Sequence, residues 1–246
     1  MWRILGLKAY SAAENMAMDE AISSLVKEGL SPPTIRFYRW SPGAVTIGCF
    51  QCISDEVDLD ACRRLGIDFV RRRTGGGAVY HDPAGEITYS IIAPEALFSG
   101  DILESYRDIC GCVVRGLKTL GIDAAFRPIN DVIVGGRKVS GSAQMRRQGV
   151  LTQHGTFLYG LDRATMFSVL KPSKLKLSDK PAASFGDSVA CVRELCGVSI
   201  EELYDALLTA FTEGKEWEFG ALTDAERVRI EDIAWKYDSY EWNFSR

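Results

Sequence analysis

The sequence predicts an α+β fold, with a mixed or antiparallel central sheet flanked by helices in one domain over residues 1–246. Three observations carry this. Helix-start signals recur in which a Ser, Thr or Asp is followed three residues later by Glu. Between them lie short runs rich in β-branched and aromatic residues. Those runs cluster without the regular strand–helix alternation of a doubly wound sheet. No repeat, low-complexity tract or linker divides the chain, and 246 residues can bury a substantial core.

The elements follow in order. Residues 1–10 read as a strand. Ser11 and Glu14 form a capping box for a helix over 12–28, ended by Gly29. Thr34–Trp40 and residues 44–50 are strands. Asp55 starts a short helix with Leu59, Cys62 and Leu65 inward, stopped by Gly66. Residues 69–73 form a strand, 74–85 a loop, and 86–93 the next strand. Asp101 and Glu104 open a long helix with Tyr106, Val113, Leu117 and Leu120 on one stripe. Asp131–Val134 and 138–143 are strands about a Gly135-Gly136 hairpin turn. Residues 151–158 form a further strand, and a short helix follows Asp162. Ser199 with Glu202 and Thr223 with Glu226 repeat the capping box for two C-terminal helices.

With 46% hydrophobic and 25% charged residues the composition is that of a globular protein. A net charge of −4 disfavours non-specific nucleic-acid binding, so clustered arginines point to one anionic ligand in one place. No apolar run approaches the roughly 20 residues of a membrane helix, and no signal peptide is visible. Seven cysteines, odd in number and scattered, imply free thiols in a reducing, cytoplasmic setting. Cys49 and Cys52 have CxxC spacing, but no second pair follows and only two histidines exist. A strand end with a buried thiol explains them better than zinc.

Residues 71–82, RRRTGGGAVYHD, are the strongest chemical signal. Three glycines without Cβ atoms let backbone N–H groups approach an anion, and arginine adds a fixed charge. The spacing is neither that of a Walker loop nor GxGxxG. Arg71 and Arg73 alternate with Arg72 along a strand and so face away from the ligand. A second stretch, residues 130–144, carries Asn130, Asp131 and Lys138, then the small residues Ser140, Gly141, Ser142 and Ala143. The small residues leave space above the sheet for a ligand and a path for the lysine head. Lys138 otherwise suits a solvated strand start. Asp131 suits either a turn or a carboxylate for a metal–phosphate pair. His154, inside the apolar strand 151–158, suits a core histidine and carries no hydrolase by itself.

RRRTGGGAVYHD, NDVIVGGRKVSGSAQ, QHGTFL and the terminal Glu241-Trp-Asn-Phe together resemble the lipoate–protein ligase family, from NMAMDEA at residues 15–21 to the chain end. The resemblance implies a sheet like those of biotin synthetases and class II tRNA synthetases. It implies ATP-dependent attachment of lipoate to a lysine through lipoyl-AMP, with ATP and Mg²⁺. The partners it implies are lipoyl-acceptor domains of 2-oxoacid dehydrogenases or the glycine cleavage H protein. A separate accessory protein is also implied, because this chain stops where many ligases continue.

Carried over by position, Arg72, Gly77, Ala78, Val79, Tyr80, Asn130 and Asp131 face ATP, with Asp131 toward the metal. Gly75, Gly76, His81, His154 and Gly155 line the acyl site, and Lys138 touches both and is catalytic. The alternative is octanoyl or lipoyl transfer from acyl carrier protein or another lipoyl domain. Octanoyltransferases of the same fold share GSAQMRRQGVLTQHG, and one branch uses a cysteine before its lysine motif; residues 122–137 contain none. A silent lipoate-binding module would keep the glycine loop and lose Lys138. A biotin ligase is compatible with the fold, but not favoured by the glycine motif.

Overall fold

The computed structural model describes residues 1–98, 100–171 and 188–246. Its strands are β1 (Trp2–Tyr10), β2 (Thr34–Trp40), β3 (Ala44–Ile47), β4 (Asp68–Arg71), β5 (Val79–His81), β6 (Glu86–Pro94), β7 (Ala124–Arg127), β8 (Asp131–Val134), β9 (Arg137–Arg147), β10 (Val150–Leu158) and β11 (Trp217–Phe219). The larger sheet runs β11-β1-β2-β6-β10-β9-β8-β7, parallel at β11, β1 and β2 and antiparallel beyond. A smaller sheet runs β4-β3-β5. The mixed α+β architecture is the one the sequence predicts.

Period-two alternation sorts the large sheet into two faces. Ile87, Tyr89 and Ile91 of β6 and Leu151 and Phe157 of β10 enter the main core. There they meet Ile109, Val113 and Leu117 of α4 (Ile102–Thr119). Leu203, Leu207 and Phe211 of the C-terminal helix Ile200–Thr212 complete that core. The other face carries α1 (Ala12–Lys27), whose Ile22 and Val26 pack on Ile92 and Val150. The helix Asp224–Asp238 lies over α1 in turn, with Tyr237 buried beside Ala13 and Ala17. The predicted capping boxes form at Ser11, Ser199 and Thr223. Asp101 caps α4 through its own carboxylate.

The differences have local causes. The strand after Ala44 stops at Ile47, because Gly48 turns the chain under the glycine loop. The helix read from Asp55 is two pieces, Ile53–Glu56 and α3 (Leu59–Leu65), the second capped by Asp58. Leu65 is exposed rather than inward. β5 lies within the stretch read as loop, its three residues too few to show alternation.

Arg71 is buried without a carboxylate partner among the described residues. Its guanidinium donates to the carbonyls of Gly48, Cys49, Gln51, Trp242 and Asn243, and its backbone N–H to Asn243 Oδ1 at 2.8 Å. The terminal Trp-Asn-Phe segment thereby straps down the turn that supports the glycine loop. Asn243→Ala removes this acceptor and the two bonds its amide donates to Tyr237 and Ser239. The expected loss is about 1–3 kcal/mol of stability from the buried groups left unpaired. Urea unfolding measures it, and an unchanged midpoint would show that the strap contributes nothing.

Candidate active site

The site lies on the α1 face of the sheet, between the glycine loop and β9. Gly141 and Ala143 on β9 point toward this face. Lys138 Nζ lies against the Cα of Gly141, where a Cβ would collide with it, and 2.7 Å from Asp131 Oδ1. One strand repeat further, about 7 Å, Ala143 sits under Gly76 of the loop. A ligand between them has an ammonium at one side and glycine backbone at the other. The loop is pressed close on its far side too. Gly48 lacks a Cβ where one would strike the Gly76 carbonyl.

Asp131 is held from two sides, by Lys138 and by Arg127 at 2.7 Å. Burial pushes its carboxyl up, but hydrogen bonds from Arg127 and Lys138 outweigh that and hold its pKa below the usual value. With one oxygen in each ion pair, Asp131 is a holder of Lys138, and the carboxylate as placed does not fit a Mg²⁺ ligand. Asn130 donates to the Ser142 carbonyl at 2.6 Å and accepts the Ser142 N–H on its own carbonyl, so it pins β8 to β9.

Arg72 is buried, and all its contacts are neutral: Thr46 Oγ1 at 2.7 Å, Thr74 Oγ1 at 3.4 Å, and the carbonyls of Gly75 and Gly77 at 2.9 and 3.0 Å. Burial lowers its pKa to about 10. His81 stacks on Trp40 and bonds to Glu86 Oε1 at 2.7 Å and Thr46 Oγ1 at 2.9 Å. His154 meets Thr74 Oγ1 at 2.8 Å, and its Nδ1 lies 3.5 Å from Asp19 Oδ2. Asp19 also pairs with Arg36 and accepts from Ser90.

The structure therefore brings Arg72, Gly75, Gly76, Gly77, Lys138, Asp131 and His154 to one face, while the Ala78 side chain packs on the core of the small sheet. It separates others. Gly155 follows His154 on β10 and points to the opposite face, where the Tyr89 ring and Ser142 hydroxyl occupy the space of a Cβ. Tyr80 is buried in the core of the small sheet with Val45 and Ile47, and Val79 pairs with Thr46. Arg73 is paired with Glu20 and lines a cavity with Asp19, Thr74 and His154. Sequence reasoning missed Asp19, Glu86, Thr46 and Gly48. Asp19 left one signal: with Asn15 it interrupts the buried stripe that continues through Ile22 and Val26.

His154 makes a prediction about pH. Burial is the main cause that lowers its pKa from the ordinary 6.5; Asp19 opposes it, and Arg72 and His81 add to the lowering. The unfolded chain then binds a proton that the folded chain refuses. Stability from this group is complete above about pH 6.5 and declines as pH falls below it. His154→Gln keeps a partner for Thr74 and should flatten unfolding free energy between about pH 7 and 5. An equal slope in both proteins would assign the titration elsewhere.

Cys191 follows Ala190, whose N–H donates to the Lys138 carbonyl at 2.8 Å. Cys110 is buried against Ser142 Oγ at 3.7 Å on the α4 face, and burial pushes its thiol up to about 11. Cys62 and Cys191 are raised to about 11 by the same cause. Cys49 and Cys52 are half-buried on the turn beneath the glycine loop. All seven thiols are free, and no helix of the described residues is long and apolar enough to cross a membrane.

Residues 11–212 match the model of the lipoyl protein ligase A/B catalytic domain. The chain is 39% identical to octanoyltransferase LipM of Kyrpidia tusciae, covering 100% of this chain and 99% of the relative. It is 36% identical to LipM of Clostridioides difficile with the same coverage. Among solved structures, a bi-partite lipoate protein ligase from Thermoplasma acidophilum superimposes with a TM-score of 0.88 at 35% identity, over 98% of this chain and 95% of that one. Lipoate-protein ligase A bound with ATP gives 0.84 at 32% identity, over 98% of each chain. Biotin protein ligase from Aquifex aeolicus, at 12% identity, covers 95% of this chain and 72% of that one with a TM-score of 0.50, and shares the fold.

These relatives correct the expected activity. ATP-dependent, AMP-forming lipoate ligation with ATP and Mg²⁺ is overturned by octanoyltransferases matching the whole chain. The Asn130-Asp131 pair weighed toward adenylation in the sequence, yet its folded contacts are to Ser142, Lys138 and Arg127. From its sequence match and its fold, the chain belongs to the lipoyl protein ligase A/B catalytic domain family.

Proposed function

We propose that this protein transfers an octanoyl group from the thioester of an acyl carrier protein to the lysine of a lipoyl-acceptor domain. The acceptors would be those of 2-oxoacid dehydrogenases or the glycine cleavage H protein. The observation that carries the reading is Lys138, held by Asp131 on the face of β9 that the glycine loop overhangs, in a chain similar along its length to octanoyltransferases. Seven free thiols suit a reducing compartment, and we place the reaction in the cytoplasm.

A thioester is already activated, so the reaction needs no nucleotide. The acceptor amine attacks the carbonyl, the C–N bond forms, the C–S bond breaks, and the amine's proton leaves with the thiol. Negative charge gathers on the carbonyl oxygen between these events. The Lys138 ammonium supplies a fixed positive charge there without reorganisation. Asp131 holds the ammonium in place, and Gly141 gives its chain a path across the strand. The glycine loop and sheet position the acyl carbonyl and exclude water. An accessory protein for adenylation has no task in this chemistry.

Pure chain, octanoyl-acyl carrier protein and an unmodified lipoyl domain are incubated without ATP, and the acceptor's mass is followed. An acceptor gaining one octanoyl group supports the proposal. Modification only from free acid plus ATP would reject it. Direct displacement also makes the thiols dispensable. A Cys49→Ser, Cys52→Ser variant is expected to keep transfer within about threefold. A trapped octanoyl thioester on either residue, with activity lost in the variant, would replace direct displacement by an acyl-enzyme.

A further inference from the structure

Arg72 lies at the centre of a buried chain of hydrogen bonds. One arm runs from Arg72 through Thr46 and His81 to Glu86; the other runs through Thr74 to His154, whose Nδ1 lies 3.5 Å from Asp19 Oδ2 and has no hydrogen-bond partner among the described residues. Both histidines of the protein thus meet a threonine that Arg72 holds. A guanidinium can only donate. Each threonine oxygen therefore accepts from Arg72 and passes its own proton to a histidine Nε2, which on His81 leaves Nδ1–H for Glu86. Donors run in one direction along the first arm, from cation to anion, and such chains reinforce themselves in a dry interior. Glu86 faces Arg72 through its arm without touching it, while Asp19 is paired with Arg36.

The remaining nitrogen, Nη2, holds the carbonyls of Gly75 and Gly77. In a planar trans peptide the C=O and the following N–H point in opposite directions. Turning those two carbonyls inward turns the amides of Gly76 and Ala78 outward. Gly76 is exposed there, and neither amide makes a loop hydrogen bond among the described residues.

We propose that Arg72 is a positioning residue: clamped between the Glu86–His81–Thr46 arm and the His154–Thr74 arm, it aims the Gly76 and Ala78 amides at the carbonyl oxygen of the bound acyl group. The identity of that oxygen rests on the acyl-transfer reading, while the geometry of the amides does not. His81 and His154 then serve the arms rather than the acyl pocket.

The test joins two readouts on the full chain. Octylphosphonate, an eight-carbon tail with a tetrahedral anionic head, is titrated into ¹⁵N-labelled protein. The Gly76 and Ala78 amide resonances are expected to move in the native chain. They should move far less in the Thr46→Val, Thr74→Val double variant, which removes both hydroxyls at nearly constant volume. In octanoyl transfer the variant should lose about 100-fold in kcat, with KM little changed. Unfolding midpoints are measured alongside. Should the double variant fail to fold, Arg72→Lys replaces it, since one ammonium cannot hold both carbonyls in the geometry of a fork.

Amides that ignore the phosphonate in the native chain would overturn the proposal. So would a folded variant that keeps both the shifts and kcat. Amides that bind phosphonate in a chain with no octanoyl transfer would support the positioning role and remove the acyl-transfer reading alone.

Discussion

Lys138→Ala is expected to lower octanoyl transfer by roughly 2–4 kcal/mol of transition-state stabilisation, about 30- to 1,000-fold in rate. The lysine is the cation set on the loop-facing side of β9, and its partner Asp131 keeps Arg127 as counter-charge when it is gone. The fold should therefore survive, which the unfolding midpoint checks. Arginine should not rescue the activity. The lysine tail lies so close over Gly141 that a planar fork has no equivalent place, and a point charge is what the oxygen needs. A folded Lys138→Ala protein with near-native transfer would reduce the residue to a half-exposed ion pair.

The second large effect is on stability. Glu226→Ala is expected to cost about 3–5 kcal/mol, because it strands a buried cation. Glu226 has no exposed surface and receives Arg3 through both nitrogens, at 2.5 and 2.7 Å, together with the Ser31 hydroxyl at 2.6 Å. Burial alone would raise its pKa; Arg3 and Ser31 outweigh burial and hold the carboxyl below its ordinary range. Without it, Arg3 keeps, among the described residues, only Thr34 and the Ala221 carbonyl. Glu231→Ala, on an exposed position of the same helix, should change stability by no more than about 0.5 kcal/mol. Urea unfolding of the two variants decides the matter: equal losses would mean that the pair does not hold the C-terminal helices to β1.

Much of the scaffold was legible because its signals are local. The boxes at Ser11, Ser199 and Thr223 are three-residue spacings, and the Gly135-Gly136 turn is a dipeptide whose two residues both take positive φ. Lys138, Arg72 and the three glycines stood out because residue type and neighbourhood together are unusual. The boundary at Asp58 was misplaced because Asp55 offers the same capping chemistry three residues earlier, and only packing of Ala61 and Cys62 chooses between them.

The sequence by itself determined the fold class, the main helices and the two motifs of the site, since capping, hairpin chemistry and missing Cβ atoms act over a few residues. Tertiary structure decided what those residues face. The pleat puts His154 beside Asp19 and turns Gly155 to Tyr89 on the opposite side. Ion pairing makes Asp131 the holder of Lys138. Arg72 reaches Glu86 through Thr46 of β3 and His81 of β5, and His154 of β10 through Thr74 of the glycine loop. No periodicity along one chain segment records such contacts, because their energy depends on distances between segments far apart in sequence. In a buried site that energy is set by which hydrogen bonds close and which charges remain unpaired.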